Sequence, residues 1–213
     1  VPRVHMSLGD ILRGQERYEE ATQAYNTAVE MIADPAPNHW FLFYARGISL
    51  EREHDWEGAE ADFRKALELN PGQPLVLNYL GYSLVEFGLK LPEAQSMIES
   101  AVAARPNDGF ITDSLGWVLF RLGRYEEAVA PMERATELMP IDPIVNDHLG
   151  DVYWSVGRFL EAEFQWKRAL SFVDYGDASQ EADPDRIRRK LEVGLDQVLE
   201  EEGAKPLRLA DDG

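Results

Sequence analysis

Apolar residues in this chain return at helical spacing in short strips, two strips to a unit, with a glycine between them. The stretch from Gly109 to Asp142, GFITDSLGWVLFRLGRYEEAVAPMERATELMPID, shows one whole unit. Leu115, Gly116 and Leu119 lie on the first strip, and Gly123 breaks it. Ala128, Met132 and Ala135 form the second strip, and Pro140 ends it. Spacings of three and four residues put each strip on one face of a helix. The counterpart of Gly116 recurs as Gly9, Gly47, Gly81 and Gly150, so that the successive intervals are 38, 34, 35 and 34 residues. Ala28, Ala66, Ala101, Ala135 and Ala169, in the second strips, repeat the same four intervals. Two landmarks in different helices that share one irregular spacing predict five helix–turn–helix units in an all-α chain.

The units run over about residues 2–35, 40–73, 74–108, 109–142 and 143–176. In the first, Met6, Leu8, Ile11 and Leu12 share helical spacing, as do Tyr18, Ala21, Tyr25 and Ala28. Glycine and alanine let two helix backbones approach, and the large residues fill the space beside them. The extra residues between the first and second units fall at Asp34-Pro-Ala-Pro37, where two prolines cannot continue a helix. His54 stands where later units carry Gly88, Gly123 and Gly157, a left-handed turn position that histidine occupies at some cost. One further residue is inserted at 88–94, and Pro92 suits the first turn of the helix that follows. Pro131 falls inside a second helix, where loss of a backbone bond and a clash with the Glu127 carbonyl predict a kink. A polar linker is expected at 177–183, one amphipathic helix capping the last unit at 184–201, and a frayed tail at 202–213.

The order L-G-x2-Y, A-x3-F, A and P at a period of 34 resembles the tetratricopeptide repeat (TPR) family over about residues 2–176. That resemblance implies a right-handed α-solenoid with a C-terminal capping helix, whose first helices line a concave groove for a peptide or protein segment. On this sequence the implied groove residues are Tyr44, Asn78, Tyr82, Asp113, Trp117, Phe120, Asp147, Asp151 and Trp154. Met6, Asp10, Arg13, Ile48, Glu51 and Val85 share the corresponding face. The family's clamp of lysine, arginine and asparagine on a terminal carboxylate is matched only by Asn78. Asp113, Asp147 and Asp151 supply the opposite charge, so the implied ligand is apolar or basic rather than acidic. Residues 75–170, through LNYLGYSLVE, DSLGWVLFRLGRYEEA and DHLGDVYWSVGRFLEAEFQW, are also similar to the C-terminal repeats of longer bacterial multi-TPR proteins, some of them envelope scaffolds or protease adaptors.

Charge changes this picture only by exclusion. Lysine and arginine number 21 against 39 aspartates and glutamates, a formal charge of −18, which repels a phosphate backbone and excludes nucleic acid as the expected partner. Without cysteine there is no disulfide and no thiolate metal site, which fits the cytosol as well as a periplasmic or envelope setting. No run of eighteen apolar residues suggests membrane insertion. Val1-Pro2 opens directly into a unit, which reads as a fragment of a longer protein with any targeting segment outside it.

Catalytic chemistry finds little support. Ser114, His148 and Asp113 or Asp147 stand on neighbouring first helices, yet nothing supplies a strained nucleophile turn or an oxyanion hole. The histidines at 5, 39, 54 and 148 lack metal-ligand spacing, and no cofactor fingerprint is present. The sequence therefore predicts a non-catalytic scaffold or adaptor that binds a protein segment in its groove. The alternative is a structural module forming homo-oligomers through its terminal repeats or convex face.

Overall fold

The computed structural model describes residues 1–173 and 182–207, and among these every regular element is helical. The α-helices are α1 (Pro2–Gly14), α2 (Tyr18–Glu30), α3 (Trp40–Arg52), α4 (Trp56–Leu69), α5 (Pro74–Glu86) and α6 (Leu91–Ala104). They continue with α7 (Gly109–Arg121), α8 (Tyr125–Leu138), α9 (Pro143–Ser155), α10 (Phe159–Phe172), α11 (Pro184–Val193) and α12 (Leu195–Glu201). A short 3-10 turn, Pro37–His39, fills the proline-rich stretch before α3, and there His39 Nδ1 accepts from the Ala36 N–H at 2.9 Å. The helices fall into two compact units, residues 1–80 and residues 81 onward.

In the first unit, α1 pairs with α2 and α3 with α4. Leu12, Ala21, Ala24, Tyr25, Ala28, Leu42 and Ala45 form one core cluster, joining α2 to both its neighbours. Arg46 grips Asp62 with two donors at 2.6 and 2.7 Å, a fork geometry that fixes α3 on α4. Thr22 Oγ1 donates to Glu53, and Tyr79 Oη donates to Glu51 at 2.6 Å. Leu8 and Ile11, expected on the same strip as Leu12, are instead exposed.

In the second unit α7 pairs with α8 and α9 with α10, and α11 packs on α10. Aspartates open the first helices. Asp108 accepts from the N–H groups of Phe110 and Ile111, Asp142 from Ile144 and Val145, and Asp183 from Asp185 and Arg186, satisfying donors that a helix start leaves bare. α8 continues through Pro131.

One close approach recurs inside the hairpins. A Cβ added to Gly150 would lie 2.4 Å from the Trp166 ring, and one on Gly47 would lie 2.7 Å from Phe63. Tyr25, Met132 and Ile98 take the same place over Gly9, Gly116 and Gly81. The landmark glycine is thus the floor on which the second helix seats one of its large apolar side chains.

The turn position also recurs, and there the backbone is left-handed. His54 has φ of 66° and Glu16 of 60°, where Gly123 and Gly157 have 75° and 79°. The C-terminal region departs from the expected single helix over 184–201. Gly194, at φ 84°, divides α11 from α12, and its missing Cβ leaves room for the Trp154 ring, 2.5 Å from where a Cβ would stand. Of the expected linker at 177–183 and tail at 202–213, residues 177–181 and 208–213 lie outside the described residues.

Two substitutions test this packing. Gly150→Ala forces the rigid Trp166 ring off its seat and is expected to cost about 2–3 kcal/mol. His54→Gly relieves a left-handed histidine and is expected to stabilise by up to about 1 kcal/mol. Urea denaturation midpoints with unchanged slopes check both.

Candidate functional site

The second unit contains a cleft of about 650 Å³. Trp117, Phe120 and Arg121 of α7 and Tyr125 at the start of α8 form one wall. Leu195 and Leu199 of α12, with Ala204, Lys205, Pro206 and Leu207, form the other. Gly88, Leu91, Asp151, Arg186 and Glu202 also line it.

The aromatic wall is built in layers. Trp117 lies between two rings, stacked on Phe120 at 4.7 Å and on His148 at 3.9 Å, with interplanar angles of 11° and 13°. Its indole N–H donates to Glu86 at 2.6 Å, so the ring orientation is fixed before any ligand arrives. His148 in turn sits against Asp113, with Nδ1 3.0 Å from Oδ2. Burial alone would lower the His148 pKa, but the adjoining Asp113 carboxylate, with Asp147 and Glu86 further off, pushes it up to about 9. The ring is therefore a cation near neutral pH, donating to Asp113 and lying flat on Trp117.

The opposite wall is held by buried charge. Lys190 of α11 is 1% exposed, and its ammonium donates to Asp147 at 2.5 Å and Asp151 at 2.6 Å, 5.2 Å from the centre of the Trp166 ring. Trp166 Nε1 donates to Asp151 as well, at 2.9 Å. Arg186 lies 3.7 Å from Asp151 and pairs with Glu202 at 2.6 Å. Burial raises the Asp147 carboxyl above the ordinary value, against the pull of the Lys190 ammonium. Trp154 Nε1 donates to Asp196 at 2.7 Å, a further tie between α9 and the C-terminal helices.

The nine residues expected in a groove thus meet different fates. Trp117, Phe120 and Asp151 line the cleft. Asp113 and Asp147 are bound to His148 and Lys190, and Trp154 is the seat of Gly194 and Asp196. Tyr82 is half-buried in the same unit. Tyr44 and Asn78 belong to the first unit, where Tyr44 packs on Phe63 and Tyr79 and the Asn78 Oδ1 is shielded without a hydrogen-bond partner among the described residues. Ser114 donates to the Phe110 carbonyl at 3.0 Å, and His148 turns its Nδ1 to Asp113, so the two do not form a nucleophile–base pair.

Sequence reasoning missed the far wall. Ala204 to Leu207 fall in the expected tail, yet Gly203, at φ 65°, turns the chain after α12 while Ala204 N–H bonds back to the Leu199 carbonyl at 2.9 Å. A glycine followed by Pro206 was the available signal for such a helix end. Among the described residues no cluster of His, Cys, Asp or Glu could hold a metal ion, and no helix is long and apolar enough to cross a membrane.

Folded His148 holds its proton more tightly than an unfolded imidazole near 6.5. Its contribution to stability is therefore complete below about pH 6.5 and is lost as pH rises through about 9. His148→Gln is expected to remove that part of the decline, leaving a flatter profile between pH 6.5 and 9. Denaturation midpoints measured across this range check it, and parallel profiles would refute the Asp113 pairing.

Sequence comparison gives independent findings. Residues 2–35, 40–73 and 89–143 each match the Tetratricopeptide repeat family. The TPR repeat-containing protein PA4667 of Pseudomonas aeruginosa is 28% identical over 126 residues, which are 59% of this chain but only 21% of that protein. A TPR protein of Thermus thermophilus, TTC0263, superposes with a TM-score of 0.68 at 20% identity, covering 92% of this chain and 99% of its own. Pseudomonas aeruginosa pilF gives 0.68 at 16% identity, covering 95% and 96%. YrrB, described as a TPR protein with an unusual peptide-binding site, gives 0.61 at 19%, covering 83% and 89%. With its paired helices, the glycine seat in each hairpin and these matches, the chain belongs to the tetratricopeptide repeat family.

Proposed function

We propose that this protein is a non-catalytic scaffold or adaptor that holds an apolar segment of another protein in the cleft between α7 and the C-terminal helices. The TPR fold is generally a protein–protein interaction scaffold, and its members bind peptides or proteins. The observation that carries the reading is the cleft itself, with Trp117 and Phe120 facing Leu195, Leu199 and Leu207. Preset rings give a partner apolar area with little ordering cost. A basic segment loses its main attraction, because Asp113, Asp147 and Asp151 already hold His148, Lys190 and Arg186.

Self-association is the second reading, and a specific surface favours it. Leu160 is 83% exposed and Phe164 56% on the outer face of α10, where α8 carries Glu126 and Ala130. Affinity capture from a native extract, followed by calorimetry on the captured segment, separates the two. Leu199→Asp and Leu207→Asp are expected to weaken binding at least tenfold, about 1.4 kcal/mol, and Leu160→Asp with Phe164→Asp to leave it unchanged. The reverse pattern moves the interface to the outer face and defeats the cleft.

A further inference from the structure

The charge left open in the cleft is opposite in sign to that of the chain. Acidic residues outnumber basic ones 39 to 21, so a cation in this protein finds a carboxylate easily. In the second unit Arg124, Arg134, Arg158, Arg186, Arg188 and Arg189 each donate to a carboxylate at 3.0 Å or closer. Arg121 and Lys205, both in the cleft lining, do not. Arg121 is exposed in the last turn of α7 and stands 3.8 Å from Glu86, whose Oε1 already accepts the Trp117 indole N–H. Lys205 is exposed on the other wall, and its ammonium meets no carboxylate among the described residues.

The acids that line the cleft are already committed. Asp151 is 2% exposed and accepts from Lys190 and Trp166, and Glu202 accepts from Arg186 at 2.6 Å. Arg186 is spent on the same two carboxylates. The uncommitted charge of the lining is therefore positive, and it lies beside Trp117, Phe120, Leu199 and Leu207.

We infer that the segment held in the cleft carries acidic side chains flanking its apolar residues, one meeting Arg121 at the α7 wall and another meeting Lys205 at the C-terminal wall. This rests on the cleft reading above and names the charge of its partner. It reverses the sign expected from Asp113, Asp147 and Asp151, because His148, Lys190 and Arg186 consume those carboxylates within the fold. The family's clamp on a terminal carboxylate is matched in this sequence only by Asn78, so neither cation belongs to it. Cations on two walls suit acidic side chains spread along a segment, whereas a chain terminus brings a single carboxylate. The formal charge of −18 does not prevent this, since exposed charges are screened over about 8 Å at physiological ionic strength and the nearest cations decide.

The probes are three synthetic peptides that share one apolar core of leucine and phenylalanine. Each is capped at both ends, and the flanks are glutamate, glutamine or lysine. Calorimetry on the 213-residue chain at physiological ionic strength compares them. The glutamate peptide is expected to bind on the order of tenfold more tightly than the glutamine peptide, as two exposed ion pairs allow. Arg121→Gln with Lys205→Gln is expected to remove that advantage, and Arg121→Glu with Lys205→Glu to pass it to the lysine peptide. Leu199→Ala with Leu207→Ala, which change no charge, are expected to weaken all three peptides alike. Equal affinity for the glutamate and glutamine peptides, or a preference for lysine, with binding still weakened by the leucine changes, overturns the inference and leaves the cleft reading standing. Binding that the leucine changes do not weaken, or no binding of any peptide, defeats both.

Discussion

The fold depends on the approach of a large side chain to a bare glycine inside each hairpin. Trp166 over Gly150, Met132 over Gly116 and Phe63 over Gly47 leave no volume for a Cβ, so two helices lock at one separation and one register. That lock fixes where the remaining faces of each helix point. The first helix then offers one flank to the preceding hairpin, as Ile111 and Val145 do, and carries Trp117 and Phe120 on another. The same contact that stabilises the repeat thereby sets the aromatic wall of the cleft.

Buried charge does the work at the C-terminal end that glycine seats do elsewhere. α11 has no landmark glycine, and it is fastened by Lys190 between Asp147 and Asp151 and by Arg186 between Asp151 and Glu202. Removing water from an ammonium is costly, and two carboxylates with a facing indole offset that cost only at close and well-aligned contact. Such an arrangement specifies one docking position strictly. Trp154 adds to it, reaching Asp196 across the space that Gly194 leaves open.

Much of this was legible in the residues because hairpin packing is local and periodic. The glycine and alanine intervals located the helix pairs, and His54 marked its turn by replacing a glycine. Less legible were contacts between residues some forty positions apart, which no period announces. Asp147 and Asp151 read as ligand carboxylates because Lys190, 43 and 39 residues further on, lies outside the repeat. Trp154 read as a groove residue for the same reason. Gly194 was hidden inside an apolar pattern that runs across it at helical spacing, although its backbone breaks the helix in two.

The central claim is that the cleft, rather than the outer surface, receives the partner. Hydrogen–deuterium exchange of the chain with and without its captured segment tests it most directly. Binding in the cleft predicts slowed exchange at the end of α7, the start of α8 and residues 195–207, with α10 unchanged. Slowed exchange confined to α10 around Leu160 and Phe164 would contradict the account.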